Sequence, residues 1–146
     1  MGRILEMEWP ELGIKVEAGP LPFNREFYEY FLANCPLKGI QSHAVVSGKI
    51  LYIMNLKLSK FSSQRYLELK MEDLSEEPEG RVSIFVTAGK VGSLMVKYGP
   101  ISEPMSYPTI AQVKASHMKK LVEAGRAEWE SIYRNKNILS VIYRAK

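Results

Sequence analysis

Short segments in which every second residue is apolar recur along this chain, and that period of two sets its fold class. RILEMEW, Arg3 to Trp9, puts Leu5, Met7 and Trp9 on one face and Glu6 and Glu8 on the other, the pattern of a half-buried strand. Pro10-Glu11-Leu12-Gly13 interrupts it. GIKVEA then repeats it with Ile14, Val16 and Ala18 inward, which predicts an antiparallel hairpin. Further strands are predicted at QSHAVV (41–46), KILYIM (49–54), RYLELKM (65–71), RVSIFVT (81–87), SLMVKY (93–98) and NILSVIYR (137–144), eight in all.

Two stretches carry helical spacing instead. Gly19-Pro20-Leu21-Pro22 ends the second strand, Asn24 stands where an N-cap belongs, and Phe27, Phe31, Leu32 and Cys35 follow at helical intervals before Pro36 and Gly39. From Thr109 as N-cap to about Arg134, the positions Ile110, Val113, Leu121, Val122, Trp129 and Ile132 predict a long amphipathic helix. Residues 55–63 and YGPISEPMSYP (98–108) read as loops, Ser47-Gly48 as a tight turn and 88–92 as a strand connection. No strand-helix alternation demands a parallel sheet. The expectation is one domain over 1–146, mostly β with two helices (α+β): a closed or nearly closed antiparallel eight-stranded barrel capped by helices.

Composition removes several classes of function. The uncharged run from Gly39 ends at Lys49, far short of the ~20 apolar residues of a membrane span. Net charge is +4, but the basic residues of the last third solvate a helix face, and no zinc-finger spacing or arginine cluster points to nucleic acid. A lone Cys35 on an apolar helix face predicts a buried thiol, and the lack of an export signal a cytoplasmic protein. Two distant histidines and one cysteine offer no metal-ligand spacing, and neither a phosphate loop nor a G-x-S-x-G elbow occurs. No cofactor is expected. KILYIM and NILSVIY are apolar on both faces, so a partner subunit in a homo-oligomer, or the chain's own helices, should cover one face.

This order of elements resembles the cyclophilin-like fold. Lys38-Gly39, His43 and Ser47-Gly48 stand where a cyclophilin has a Lys-Gly, a strand histidine and a short turn. Ala44 occupies the place of the catalytic arginine, so prolyl isomerisation loses that group. IQSHAVVSGKI (40–50), AGKVGSLMVKYG (88–99) and KASHMKKLVEAG (114–125) are similar to patterns in small bacterial cyclophilin-like proteins, including the domain shared with cucumopine and mikimopine synthases, the opine enzymes. That resemblance implies a Pictet–Spengler-type condensation. An amine such as that of histidine or an arylethylamine forms an imine with a carbonyl compound such as a 2-oxo acid, a ring carbon attacks the iminium, and a base removes the surplus ring proton. Neither a redox cofactor nor a metal is implied.

Such chemistry asks for proton donors, a base and groups that hold a carboxylate. His43 is the first choice for acid/base work, being the residue whose ordinary pKa lies nearest neutrality; a core histidine bonded to backbone is the alternative. Tyr107 and Glu103 are the other catalytic candidates, Glu103 requiring burial to raise its pKa. Tyr98, Tyr52, Lys97, Arg65 and Ser47 are candidates for substrate binding, with Lys49 a further cation able to meet a carboxylate. His117, on the apolar stripe of the second helix, reads as a satisfied half-buried residue. The expected geometry is one hollow shared by His43, Tyr98 and Tyr107. A non-catalytic module binding a small molecule or a peptide on the same barrel is the competing expectation.

Overall fold

The computed structural model describes residues 3–59, 61–87 and 91–146; the expected connection at 88–90 lies outside them. β1 (Leu5–Trp9) and β2 (Ile14–Pro20) form the expected hairpin, with Leu5 opposite Ala18 and Trp9 opposite Ile14. A 3₁₀ turn at Pro10–Leu12 joins them and closes on Gly13 at φ 64, a conformation that favours glycine. α1 (Arg25–Asn34) buries Phe27, Tyr28, Phe31 and Leu32. Asn24 precedes it without capping it by side chain; its amide instead donates to the Lys70 and Thr109 carbonyls, tying two distant segments to the helix start.

β3 (Leu37–Ile40), β4 (Ser42–His43), β5 (Gly48–Lys57), β6 (Met71–Asp73), β7 (Arg81–Thr87), β8 (Val91–Ile101), β9 (Ser106–Val113) and β10 (Ser140–Ala145) complete the sheet. Nine strands follow one another in the order β3-β10-β1-β2-β9-β7-β8-β5-β4, every pair antiparallel, and β6 pairs separately with β9. The two ends of this ladder, β3 and β4, are consecutive in the chain and parted only by Gln41, so the sheet curls into a nearly closed barrel. Buried Gln41 satisfies the break: its Oε1 accepts from Trp9 Nε1 at 2.7 Å and its Nε2 donates to the Tyr52 carbonyl at 2.7 Å.

Nine ladder strands replace the expected eight because residues 37–40, read as the end of a helix, pair with β10 and residues 106–113 pair with β2 and β7, while RYLELKM leaves the ladder; the strand read over 41–46 is cut short at His43. The long helix is also corrected. Residues 106–113 form β9, held by β2, β7 and β6, and α3 spans only Met118–Glu130, continuing into a π-helical turn at Ser131–Asn135. Ile110 and Val113 lie three apart, a spacing a helix accepts, but sheet partners on both sides supply backbone hydrogen bonds that decide for the strand. RYLELKM splits into α2 (Ser63–Leu67), capped by Ser62, and β6. β5 and β8 run to Lys57 and Ile101, which shortens both expected loops.

Alternation divides the strands between two faces. Leu51 and Ile53 of β5 join the core with Leu94, Val96 and Tyr98 of β8, while Tyr52, Met95 and Lys97 take the opposite side. α3 packs its Leu121, Ala124, Gly125 and Glu128 face against β2, β4, β5 and β8, and α1 lies on β9 and β10. No helix among the described residues is long and apolar enough to cross a membrane.

Candidate functional site

The site begins at the two-residue strand β4. His43 pairs with Leu51 and so shares its inward side, where it is 4% exposed. Both ring nitrogens are engaged: Nδ1 lies 2.6 Å from the Ala44 carbonyl and Nε2 2.6 Å from the Tyr98 hydroxyl. A carbonyl can only accept, so Nδ1 carries the proton in the neutral ring, and Nε2 accepts from the Tyr98 hydroxyl. Burial lowers the His43 pKa from its ordinary value, the Ala44 carbonyl opposes that shift, and Lys49 reinforces it. The imidazole therefore rests neutral near pH 7, in the form of a base.

Tyr98 is held by a space that only glycine leaves. A Cβ on Gly125 of α3 would come within 2.5 Å of the Tyr98 ring, so the bare helix backbone is the seat on which the phenol lies. Burial raises the Tyr98 pKa and the nearby Arg126 charge partly offsets it. The Trp129 ring meets His43 edge to face at 4.9 Å and packs at a tilt against Tyr133 at 4.3 Å, which braces the imidazole from the helix side.

A cleft of about 460 Å³ opens over this pair, lined by His43, Tyr98, Val45, Val46, Gly48, Lys49, Arg126, Trp129 and Glu130. Glu130 pairs with Arg134 at 3.2 Å, whereas Lys49 and Arg126 form neither an ion pair nor a hydrogen bond among the described residues. Two cations without protein anions, beside an indole face and two valines, suit a ligand that joins a carboxylate to an aromatic ring.

Of the residues singled out in the sequence, His43 and Tyr98 are brought together, and Lys49 joins them. Tyr107, Tyr52 and Ser47 line a second hollow, on the far side of the 44–47 turn, also of about 460 Å³. Glu103 is exposed and accepts from Ser47 Oγ at 3.0 Å, away from the His43 cleft. The Lys97 ammonium is buried on the outer face against the Leu74 and Glu77 carbonyls, at 2.8 and 2.5 Å, where it ties down the acidic segment. Arg65 is exposed on α2 and pairs with Glu26 at 3.0 Å. His117 Nδ1 accepts from the Glu17 backbone amide at 2.9 Å. The single hollow expected for His43, Tyr98 and Tyr107 is thus two.

Sequence reasoning missed Arg126 and Glu130 as cleft residues and took Trp129 for core. It also missed Glu128, 1% exposed, whose side chain has Ser131 Oγ at 3.0 Å as its only partner among the described residues and whose pKa burial pushes up to about 7. A carboxylate on the same stripe as Leu121 and Ala124 was its signal. Among the described residues no three His, Cys, Asp or Glu side chains group as metal ligands would.

No protein-family model matches this chain, and no curated protein does. Among solved structures, McbB in complex with tryptophan superposes with a TM-score of 0.79 and 29% identity over 97% of this chain. The chain spans 44% of the length of the McbB chain. The likeness supports a shared cyclophilin-like barrel.

Proposed function

We propose that this chain catalyses a Pictet–Spengler-type condensation in the His43 cleft, joining the amine of an aromatic amino acid to a carbonyl compound. The observation that carries this reading is the His43–Tyr98 pair, 2.6 Å apart, within a cleft walled by Trp129 and bordered by Lys49 and Arg126, which have no ion-pair partner among the described residues. The likeness to a protein solved with tryptophan supports the substrate class, since tryptophan carries carboxylate, amine and nucleophilic ring together.

The steps follow from the groups present. The amine adds to the carbonyl carbon and loses water, giving an iminium. An aromatic ring carbon then bonds to the iminium carbon, whose π electrons move to nitrogen, and the ring is left with one surplus proton. Both imidazole nitrogens are occupied, so that proton passes to the Tyr98 oxygen as the phenol's own proton moves to His43 Nε2. The imidazolium so formed keeps both its donors satisfied, by the Ala44 carbonyl and the Tyr98 oxygen. Lys49 and Arg126 hold the carboxylate and fix the ring's approach. Tyr107 and Glu103 stand outside this cleft and take no part in the proposed proton transfers.

Incubation with tryptophan, tryptamine or histidine and a panel of aldehydes and 2-oxo acids, read by mass spectrometry for dehydrated adducts, tests the reading. Histidine with a 2-oxo acid is the pairing the opine-synthase resemblance implies. Adducts formed faster than without protein, and lost in His43→Ala, support the enzyme; adducts no faster than the protein-free control leave a binding module.

A further inference from the structure

The second hollow differs from the His43 cleft in one chemical respect. None of its eleven lining residues is charged, in a chain of which 25% of residues are. Its floor is the outer face of the sheet, where Tyr52 stands opposite Met95 and Phe85 opposite Ser93. Tyr107 closes one side, its ring edge-on to Phe85 at 6.0 Å, and Val45 and Val46, 69% and 78% exposed, form the rim. That rim borders both hollows.

Two features point to what such a hollow takes. Tyr52 and Tyr107 line it, and their hydroxyls have no hydrogen-bond partner among the described residues, so two donors are open to an acceptor in a space whose other polar lining is Ser47 and Ser93. The strands of the floor are paired on both sides, β5 by β8 and β4, and β8 by β5 and β7. Among the described residues the floor strands therefore offer no edge at Tyr52 and Met95 for a peptide backbone to extend. A volume of about 460 Å³ suits a small ring compound.

We propose that this hollow binds an uncharged aromatic carbonyl compound, its oxygen accepting from the Tyr52 and Tyr107 hydroxyls and its ring lying between Met95 and Phe85. The inference rests on the condensation reading for one point only, that the compound serves as the carbonyl partner, delivered across the Val45-Val46 rim. Burying a carboxylate here would cost far more than burying a neutral carbonyl, because no cation lines the walls.

Acetophenone, which is neutral, and benzoate, its charged counterpart of similar size, serve as probes in ligand-observed NMR titrations. Acetophenone should bind and benzoate at least about tenfold more weakly. Met95→Trp, which fills the hollow, should abolish acetophenone binding, and Arg126→Ala in the other cleft should leave it unchanged. Should Met95→Trp fail to fold by circular dichroism, Tyr52→Phe with Tyr107→Phe decides, with at least about a fivefold loss expected from two missing donors. Equal binding of benzoate, no binding of acetophenone, or binding that follows Arg126 rather than the hollow variants overturns the proposal. Binding as expected without product from any amine would overturn the reaction and keep the site. Product formation whose KM for an aryl aldehyde ignores the hollow variants would do the reverse.

Discussion

The two hollows share the Val45-Val46 rim and nearly the same volume, yet one is bordered by Lys49, Arg126 and Glu130 and the other by no charge at all. The difference comes from what covers each face. The His43 side faces α3, whose outer stripe supplies Arg126, Trp129 and Glu130, while on the other side strand alternation turns Tyr52, Met95 and Phe85 outward, with Phe85 exposed, Tyr52 half-buried and Met95 buried. A proton relay needs a dry, fixed pair beneath a polar mouth, and only the helix-covered side has one. The outer face can hold a molecule, but no histidine, lysine or carboxylate among the described residues lines its hollow to move a proton.

The largest effect that comparison demands lies in the relay. His43→Ala and Tyr98→Phe should each lower kcat by roughly 10² to 10⁴, the usual worth of positioned acid/base groups, with the melting temperature little changed for Tyr98→Phe because the ring keeps its seat on Gly125. Acetophenone binding should survive both. In the wild type, burial holds the His43 pKa below the ordinary imidazole range, so the neutral base persists to lower pH and the acid limb of kcat lies below that range. An acid limb above it would show that the resting state is imidazolium and that the relay runs the other way.

Gly125→Ala tests the same pair without touching it. The new methyl would sit 2.5 Å from the Tyr98 ring, so the phenol must shift, and a displacement near 1 Å at a reacting group costs on the order of 10² in rate. Alanine also favours helix over glycine by about 1 kcal/mol, which offsets part of the clash in stability. Activity is therefore expected to fall much further than the melting temperature, and equal losses in both would reduce Gly125 to a packing residue.

A smaller effect separates the charges. Arg126→Ala should raise KM for tryptophan by about fivefold and leave KM for tryptamine, which lacks the carboxylate, unchanged; an exposed cation is worth no more than this, and added salt should mask it. Steady-state kinetics with the two amines side by side check it, and a parallel rise for tryptamine would mean that Arg126 supports the cleft wall instead of the carboxylate.

How much of this was legible in the sequence depends on parity against placement. The β1–β2 hairpin and the β5, β7, β8 and β10 strands were readable because period two is a local signal, and His43 stood out as an unusual polar residue on a strand. Tyr98 and Tyr107 bracket one segment and looked like neighbours, but β8 turns Tyr98 inward while Tyr107 of β9 faces the second hollow, and a strand's pattern does not say which of its faces is inside. Lys97 stayed ambiguous for the same reason. Arg126 and Trp129 could not be assigned while the helix was thought to start at Thr109, since their direction depends on α3 packing against β4 and β8, a contact between segments some 30 to 80 residues apart in the sequence.

The last expected effect concerns the helix that makes the two faces differ. Glu128 is buried beneath α3, and its pKa of about 7 in the fold stands above the ordinary 4.5. Between those values the folded chain binds more protons than the unfolded one, so the wild type loses stability as pH rises from about 4.5 to 7, by up to about 3 kcal/mol in total. Glu128→Gln has nothing to titrate there and can still accept from Ser131 Oγ. Its melting temperature should match the wild type near pH 4 and exceed it at pH 8. Because Arg126, Trp129 and Glu130 ride on the same helix, loosening α3 at high pH should weaken tryptophan binding in the charged cleft before acetophenone binding on bare sheet. Equal sensitivity of both ligands would show that ionised Glu128 destabilises the whole barrel and not the helix-covered face alone.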